Sequence, residues 1–355
     1  MKKYFTSIQV LRGLLFLFIL AFHSGAPYAN FGWGGVESFF VISAFFLVLN
    51  KNIDARIDVK KRFKHRITRL YPPYIVVVLV AALYALLISK LPYDIIPHFL
   101  SAQNYMWMLT EYKSPMQPMT AHTWTLSIEV WCGLVWLLIL RYLPQKFFKH
   151  CMYAMLLVGI LYRTATIVAG ANVYVVSLCP LAHFDAFACG SLLAVGLKEQ
   201  KFNSRISLLS VLGLVGIFSC IAFLAHHNQV NFVHGYQLLS SSKNYLNGWF
   251  TGNLYFYITL LTTGLVGFLY LHDINKREDA VGLIKKFFVI LGNYSYELYL
   301  FHWPVLQVVK FFNNTWPVKL IVTFVVTIFA ALLFKRGFAL YQKKLLGGNS
   351  NGSSV

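Results

Sequence analysis

At ten places this chain runs for about twenty residues almost without a charge, centred on 5–22, 33–49, 73–90, 123–142, 151–170, 177–197, 206–225, 249–271, 287–308 and 318–340. A run of about twenty apolar residues is what a helix needs to cross the hydrocarbon layer of a bilayer. In lipid every backbone donor and acceptor must be satisfied within the protein, which leaves helices or closed barrels. The expected fold is therefore an all-α integral membrane protein with about ten transmembrane helices, multi-pass in a cell membrane. Only 12% of residues are charged, against about 25% in a soluble domain. One transmembrane domain is expected over residues 1–345, with 346–355 a disordered polar tail or a cloning remnant. The start, "MKKYFTSIQV", has the charged character of a signal peptide but no small-residue cleavage site, so it is read as retained.

The formal net charge is +19, a value that invites nucleic acid or anionic lipid as a partner. The placement of the charge excludes nucleic acid. With ten spans and the N-terminus inside, 24 Lys and Arg fall on one side of the membrane, five (Lys90, Lys113, Lys243, Lys310, Lys319) on the other, and Arg12 and Arg163 within spans. Such asymmetry marks the cytoplasmic side, and it predicts both termini in the cytoplasm. The five cysteines (Cys132, Cys151, Cys179, Cys189, Cys220) form no CxxC and no His-paired metal spacing, so neither a metal nor a disulfide framework is expected. No internal repeat of the transporter kind stands out.

Ionisable groups inside a span are costly and point to function. His23 ends the first span, and at about 1.5 Å per residue Arg12 lies roughly 16 Å deeper. Glu129 ("AHTWTLSIEVW") and the pair His183 and Asp185 ("SLCPLAHFDAFACGSLLA") enter from the same side as His23, about 10 Å down. Arg163 rises to meet them from the opposite side. Glu297 and His302 follow in "LGNYSYELYLFHWPV", and Glu37 in "WGGVESFF" joins the same layer. Taken singly, each has an ordinary structural use: an arginine clamps a carboxylate, and a terminal histidine sits at the interface. Their convergence is what suggests a shared, hydrated site.

A second cluster lies on the cytoplasmic side, in "KKRFKHRITRLYPPYI". Most of its charges suit lipid headgroups. Arg66 and Arg69 are three apart, so they share a helical face, directly before Tyr71 and Pro72. Guanidinium forks match phosphate oxygens. A phosphate site inside and a His/carboxylate site outside suggest a ligand held by its head and reactive at its far end.

These residues resemble the membrane acyltransferase type 3 family. The matching features are Arg12 and His23, then "GWGGVESFFVISAFFL", Arg66-x-x-Arg69 before Pro72, "WTLSIEVW" with Glu129, "FDAFACGSLLA", and "LGNYSYELYLFHWPV", in order from about Gln9 to Val305. Ala44 stands where that family usually has glycine, and His183 where arginine is common. The resemblance implies an O-acyltransferase in the bacterial plasma membrane, acting on a surface polysaccharide or lipid-linked glycan. The donor it implies is acetyl-CoA, or succinyl-CoA, as a substrate, with no permanently bound cofactor and no metal. His23 would be the general base, with Glu129 or Asp185 orienting it and Arg12 placing the thioester carbonyl or compensating the carboxylate. An acyl-histidine route stays open beside it. Arg66, Arg69 and Tyr71 would hold the donor; His302, Arg163, Tyr296 and His183 would line the acceptor side.

The expected external segments, Leu91–Thr123 and His226–Gly248, carry Tyr105, Trp107, Tyr112, His226, His227, Tyr236, Asn244 and Tyr245, side chains suited to sugars and equally to an interfacial belt. These residues show no esterase-like stretch, so this chain is expected to complete the transfer alone or to hand the acyl group to a partner. The alternative is a membrane transporter or flippase for a polysaccharide-related substrate, with the polar layer as its path. Oligomeric state is not determined by the sequence, which allows a homodimer.

Overall fold

Helices make up all the regular structure of the computed structural model, which describes residues 5–49, 58–275, 282–312 and 315–347. Ten long helices carry the architecture: α1 (Thr6–Ser24), α2 (Gly34–Leu49), α3 (Val59–Leu87), α4 (Trp124–Tyr142), α5 (Gln145–Val168), α6 (Phe184–Lys198), α7 (Leu208–His227), α8 (Leu254–Asn275), α9 (Leu283–Phe312) and α10 (Trp316–Gly347). Eight of the segments they build are long and apolar enough to span a membrane. Of the other two, α2 is apolar but only 16 residues long, and α9 is 30 residues long and carries Lys285, Lys286, Glu297 and Lys310. All ten expected spans are thus helices in a multi-pass membrane protein. Most of the expected tail falls outside the described residues.

Two segments differ from expectation. The helix expected at 73–90 begins at Val59 and ends at Leu87. The basic segment is therefore its first turns, started by Asp58, whose carboxylate accepts from the Lys61 amide at 2.9 Å. Pro72 and Pro73 lie inside this helix.

Residues 91–123 do not form an external loop throughout. Their short helices Ile95–Phe99, Gln103–Leu109 and Gln117–Thr120 fold back against the bundle. Tyr74 bonds His98 Nδ1 at 2.9 Å, and the Tyr71 hydroxyl lies 2.8 Å from Ser101 Oγ. The Trp131 indole and the Ser127 hydroxyl both donate to the Ser101 carbonyl. Tyr71 precedes the end of α3 by sixteen residues, roughly 24 Å along the helix, so this segment re-enters. Trp107 is consequently buried, as is Tyr245 further on, and neither presents a surface to a sugar.

Three apolar clusters hold the bundle. One centres on Phe45, Trp136 and Phe187, a second on Phe16, Tyr74 and Leu298, and a third on Cys220, Leu239 and Tyr255. The most extensive helix pairings are α1 with α9, α2 with α6 and α7 with α8.

Small residues set the first of these pairings. A Cβ at Gly292 would stand 2.0 Å from the Gln9 carbonyl oxygen, and one at Gly13 2.5 Å from that of Phe288. Two reciprocal glycines thus let the backbones of α1 and α9 touch, the usual means by which membrane helices pack closely. Gly25 then ends α1 in the left-handed conformation, φ 75°, with its amide turned back to Ala21 and Phe22. That close pairing and abrupt stop place the last turn of α1 against the middle of α9.

Candidate functional site

The last turn of α1 presents His23, and the facing turn of α9 presents His302. Their rings lie nearly parallel, 10° apart in plane, with His23 Nδ1 2.9 Å from His302 Nε2. The tautomers follow from the bonding. His302 Nδ1 faces the Tyr299 carbonyl oxygen, which can only accept, so that nitrogen carries the proton. His302 Nε2 is then an acceptor, and His23 Nδ1–H donates to it. The lone pair of His23 is left on Nε2. His302 is fully buried while His23 is partly exposed, so the basic nitrogen belongs to the imidazole that an outside molecule can reach.

A third histidine, His122, stands beside the pair, its ring centroid 5.4 Å from that of His302. Its Nε2 donates to the Leu300 carbonyl at 2.9 Å, and its buried Nδ1 has no partner. Tyr299 donates to the His122 carbonyl at 2.9 Å and accepts from Thr125 at 3.2 Å. Trp303 packs its ring at 78° to His23, centroids 4.8 Å apart, and donates to the Pro118 carbonyl. Over Trp303 lies the Lys310 ammonium, 5.3 Å from the ring centroid. The sequence does not mark His122 or Trp303 as site residues, and it marks Lys310 only as one of the five charges on the outer side. The signal for His122 is its place: like His23, it lies at the membrane entry of a span, seven residues before Glu129.

The carboxylates expected beside His23 are committed elsewhere. Glu129 Oε1 accepts from Arg66 Nη2 at 3.0 Å and from Ser43 at 3.1 Å, while the same Nη2 reaches the Glu129 carbonyl. Asp185 forms a two-pronged pair with Arg163, at 3.0 and 2.6 Å, with every participating side chain fully buried. Arg163 also donates to the Ala182 carbonyl and lies over the Tyr255 ring. Arg12 Nη2 donates to Ser295 at 2.9 Å, two turns of α9 before His302, and its Nη1 faces Gln9 at 3.4 Å.

On the expected acceptor side, only His302 joins His23. His183 instead pairs through Nδ1 with Glu37 at 2.7 Å and donates through Nε2 to the Ser177 carbonyl. Tyr296 donates to the Leu70 carbonyl at 2.7 Å. Glu297 pairs with Lys335 at 3.4 Å. The expected polar layer thus separates: the histidines of α1 and α9 form one group, Glu37, Arg163, His183 and Asp185 form a buried ionic network of α2, α5 and α6, and Glu129 and Glu297 pair with Arg66 and Lys335.

On the donor side, Arg66 and Arg69 share a helix face but not an environment. Arg66 is buried and occupied by Glu129, whereas Arg69 is exposed. Tyr71 is bonded to Ser101. One turn before Arg66, a cavity of about 580 Å³ opens between α3 and α4, lined by Val59, Phe63, Leu134 and Leu138, with Lys60 and Arg141 among its polar residues. Among the described residues no three His, Cys, Asp or Glu side chains form a metal-binding group.

A family model described as an acyltransferase domain matches residues 5–336. The peptidoglycan O-acetyltransferase OatA of Listeria monocytogenes is 24% identical over 341 residues, covering 86% of this chain and 50% of that protein. The O-acetyltransferase OatA of Staphylococcus aureus is 23% identical over 334 residues, covering 87% of this chain and 51% of its own length. The chain therefore spans about half the length of these curated relatives. No solved structure matches it.

Proposed function

The chain belongs to the membrane acyltransferase type 3 family, and on that premise we propose that it moves an acetyl group from acetyl-CoA to a hydroxyl of a cell-surface glycan, with His23 as the general base. The names of the relatives support acetyl over succinyl and a glycan polymer as the acceptor class. Family membership also favours the enzyme over the transporter reading. The charge asymmetry across the membrane supports a donor bound from the cytoplasm and an acceptor presented outside.

The observation that carries the reading is the ordered chain from the Tyr299 carbonyl through His302 to His23. The acceptor hydroxyl gives its proton to His23 Nε2 as its oxygen attacks the thioester carbonyl carbon. The resulting imidazolium keeps its Nδ1–H on the neutral His302 Nε2, which aligns it and shares its charge. When the tetrahedral intermediate collapses, the carbon–sulfur bond breaks and His23 returns the proton to the departing thiolate. A histidine suits both directions because its ordinary pKa lies near neutrality. His302 thus takes the positioning part that Glu129 or Asp185 was expected to play.

For the donor, Arg69 with Lys60 and Arg141 supplies the phosphate contacts, and the apolar cavity beside them takes the neighbouring part of the molecule. Arg66 acts indirectly, as the ion-paired clamp joining α3 to α4. The test uses purified protein in lipid nanodiscs, measuring acetyl-CoA binding and thiol release in the presence of a mixed cell-wall glycan preparation. His23→Ala should bind the donor without turnover, and Lys60→Gln with Arg141→Gln should bind it poorly. Turnover that survives His23→Ala, or failure to bind both acetyl-CoA and succinyl-CoA, overturns the reading.

A further inference from the structure

Sequence topology leaves only five lysines and arginines on the side to which His23 opens, and the structure brings one of them, Lys310, beside the histidine. Lys310 lies 5.3 Å over the centroid of Trp303, whose ring is 4.8 Å from that of His23. It is close enough to His23 to act on it electrostatically. Lys319, at the start of α10, is near Lys310, and its ammonium lies 3.8 Å from where a Gly25 Cβ would stand, two residues beyond His23. No carboxylate among the described residues pairs with Lys310.

This arrangement works against the base unless an anion joins it. Burial already opposes the imidazolium that forms when His23 accepts a proton, and the Lys310 ammonium adds to that opposition, since like charges disfavour the charged form. An anionic group bound between Lys310 and the ring cancels the lysine's part. Trp303 makes Lys310 effective for the purpose: the ring holds the ammonium by a cation–π contact, and the Trp303 N–H to Pro118 bond holds the ring. Half-buried on this platform, Lys310 binds an anion more tightly than a lysine free in solvent does.

We infer that the acceptor reaching His23 carries a negative group, a carboxylate or a phosphate, and that Lys310, seated on Trp303 with Lys319 beside it, receives that group. This rests on the proposed role of His23 as the base and narrows its substrate to an anionic glycan or a phosphate-linked one. The neutral sugar ring then has the Trp303 edge, and the hydroxyl to be acylated falls at His23 Nε2.

The test follows His23 directly, independently of turnover. Protein in nanodiscs at pH 7 is treated with diethyl pyrocarbonate, and carbethoxylation of His23 is followed by mass spectrometry of its peptide, with inorganic pyrophosphate or glucuronate as the probe and sodium chloride of equal ionic strength as control. Protection by a factor of about ten is expected when the probe is at roughly ten times its dissociation constant. Lys310→Gln should weaken probe binding roughly tenfold or more, Lys310→Arg should retain it, and Lys319→Gln should weaken it less. Absence of protection in the wild-type protein, or protection that survives Lys310→Gln, overturns the inference. If the same preparation releases thiol from acetyl-CoA while neither probe protects, the anionic acceptor is wrong and the base stands. If the probes protect in a Lys310-dependent way while neither acetyl-CoA nor succinyl-CoA is consumed, the anion site stands and the acyltransferase chemistry assigned to His23 fails.

Discussion

His302 Nε2 accepts a hydrogen bond from His23 Nδ1 at 2.9 Å, so the residue proposed as the base is oriented by a second, neutral imidazole and not by a carboxylate. The consequence is chemical. A carboxylate would neutralise the imidazolium and hold it charged, whereas a neutral acceptor aligns it and leaves it readier to return its proton.

Replacing His302 by Phe keeps the bulk of the ring and removes the acceptor. Acetyl transfer should fall by about 10², the cost of a misplaced reacting group, while acetyl-CoA binding is unchanged. His302→Gln, whose amide oxygen can accept the hydrogen bond from His23 Nδ1–H, should lose less. Equal losses in the two variants, measured as thiol release under saturating donor, would mean that His302 contributes only packing.

The α1–α9 contact should tolerate no side chain. With a Cβ at Gly292 only 2.0 Å from the Gln9 carbonyl, Gly292→Ala must push the helices apart. A loss of about 1–3 kcal/mol is expected from such overpacking. It should be accompanied by lower transfer, because His23 and His302 ride on these two helices. Thermal unfolding in detergent and the transfer assay on one sample check both effects. An unchanged melting temperature would show that the contact is looser than the geometry states.

Arg163 and Asp185 are both fully buried and bonded twice to each other. Removing one partner strands a charge, so Asp185→Ala should cost about 3–5 kcal/mol. The double replacement Arg163→Met with Asp185→Leu should recover most of that stability. Were the single variant as stable as the double, the ionic network would not be what holds α5 to α6.

Outside the membrane, Glu199 accepts bonds from Lys149 and Lys201, and these hold its carboxyl below the ordinary value of 4.5. A lowered native pKa means that the folded protein binds fewer protons than the unfolded chain. The contribution is therefore full above about pH 4.5 and is lost as pH falls through the native value. Since the pair is about one-third exposed, its worth is under about 1 kcal/mol. Glu199→Gln should lower the melting temperature slightly at pH 7, with the difference from wild type shrinking below pH 4. A difference that grows on acidification would contradict this assignment.

Much of this molecule could be read along the chain. Insertion in lipid depends on runs of apolar residues, a local property, so the ten long helices and the all-helical fold follow from composition over about twenty residues at a time. The place of His23 at the end of its span is likewise local, although taken alone it reads as an interfacial residue. What the linear order cannot carry is which side chains share a neighbourhood across helices. Glu129 and Asp185 enter from the same side as His23 and share one depth, about 10 Å down, but depth is one coordinate of three. The rotation of α4 turns Glu129 to Arg66, and that of α6 turns Asp185 to Arg163. Residues 91–123 look external because short polar-flanked runs resemble loops, and only their bonds to Tyr71, Tyr74 and Trp131 show that they re-enter. The partnership of His23 with His302 spans 279 residues. Two glycines with no side chain to announce themselves make it possible, by letting α1 and α9 close to backbone contact.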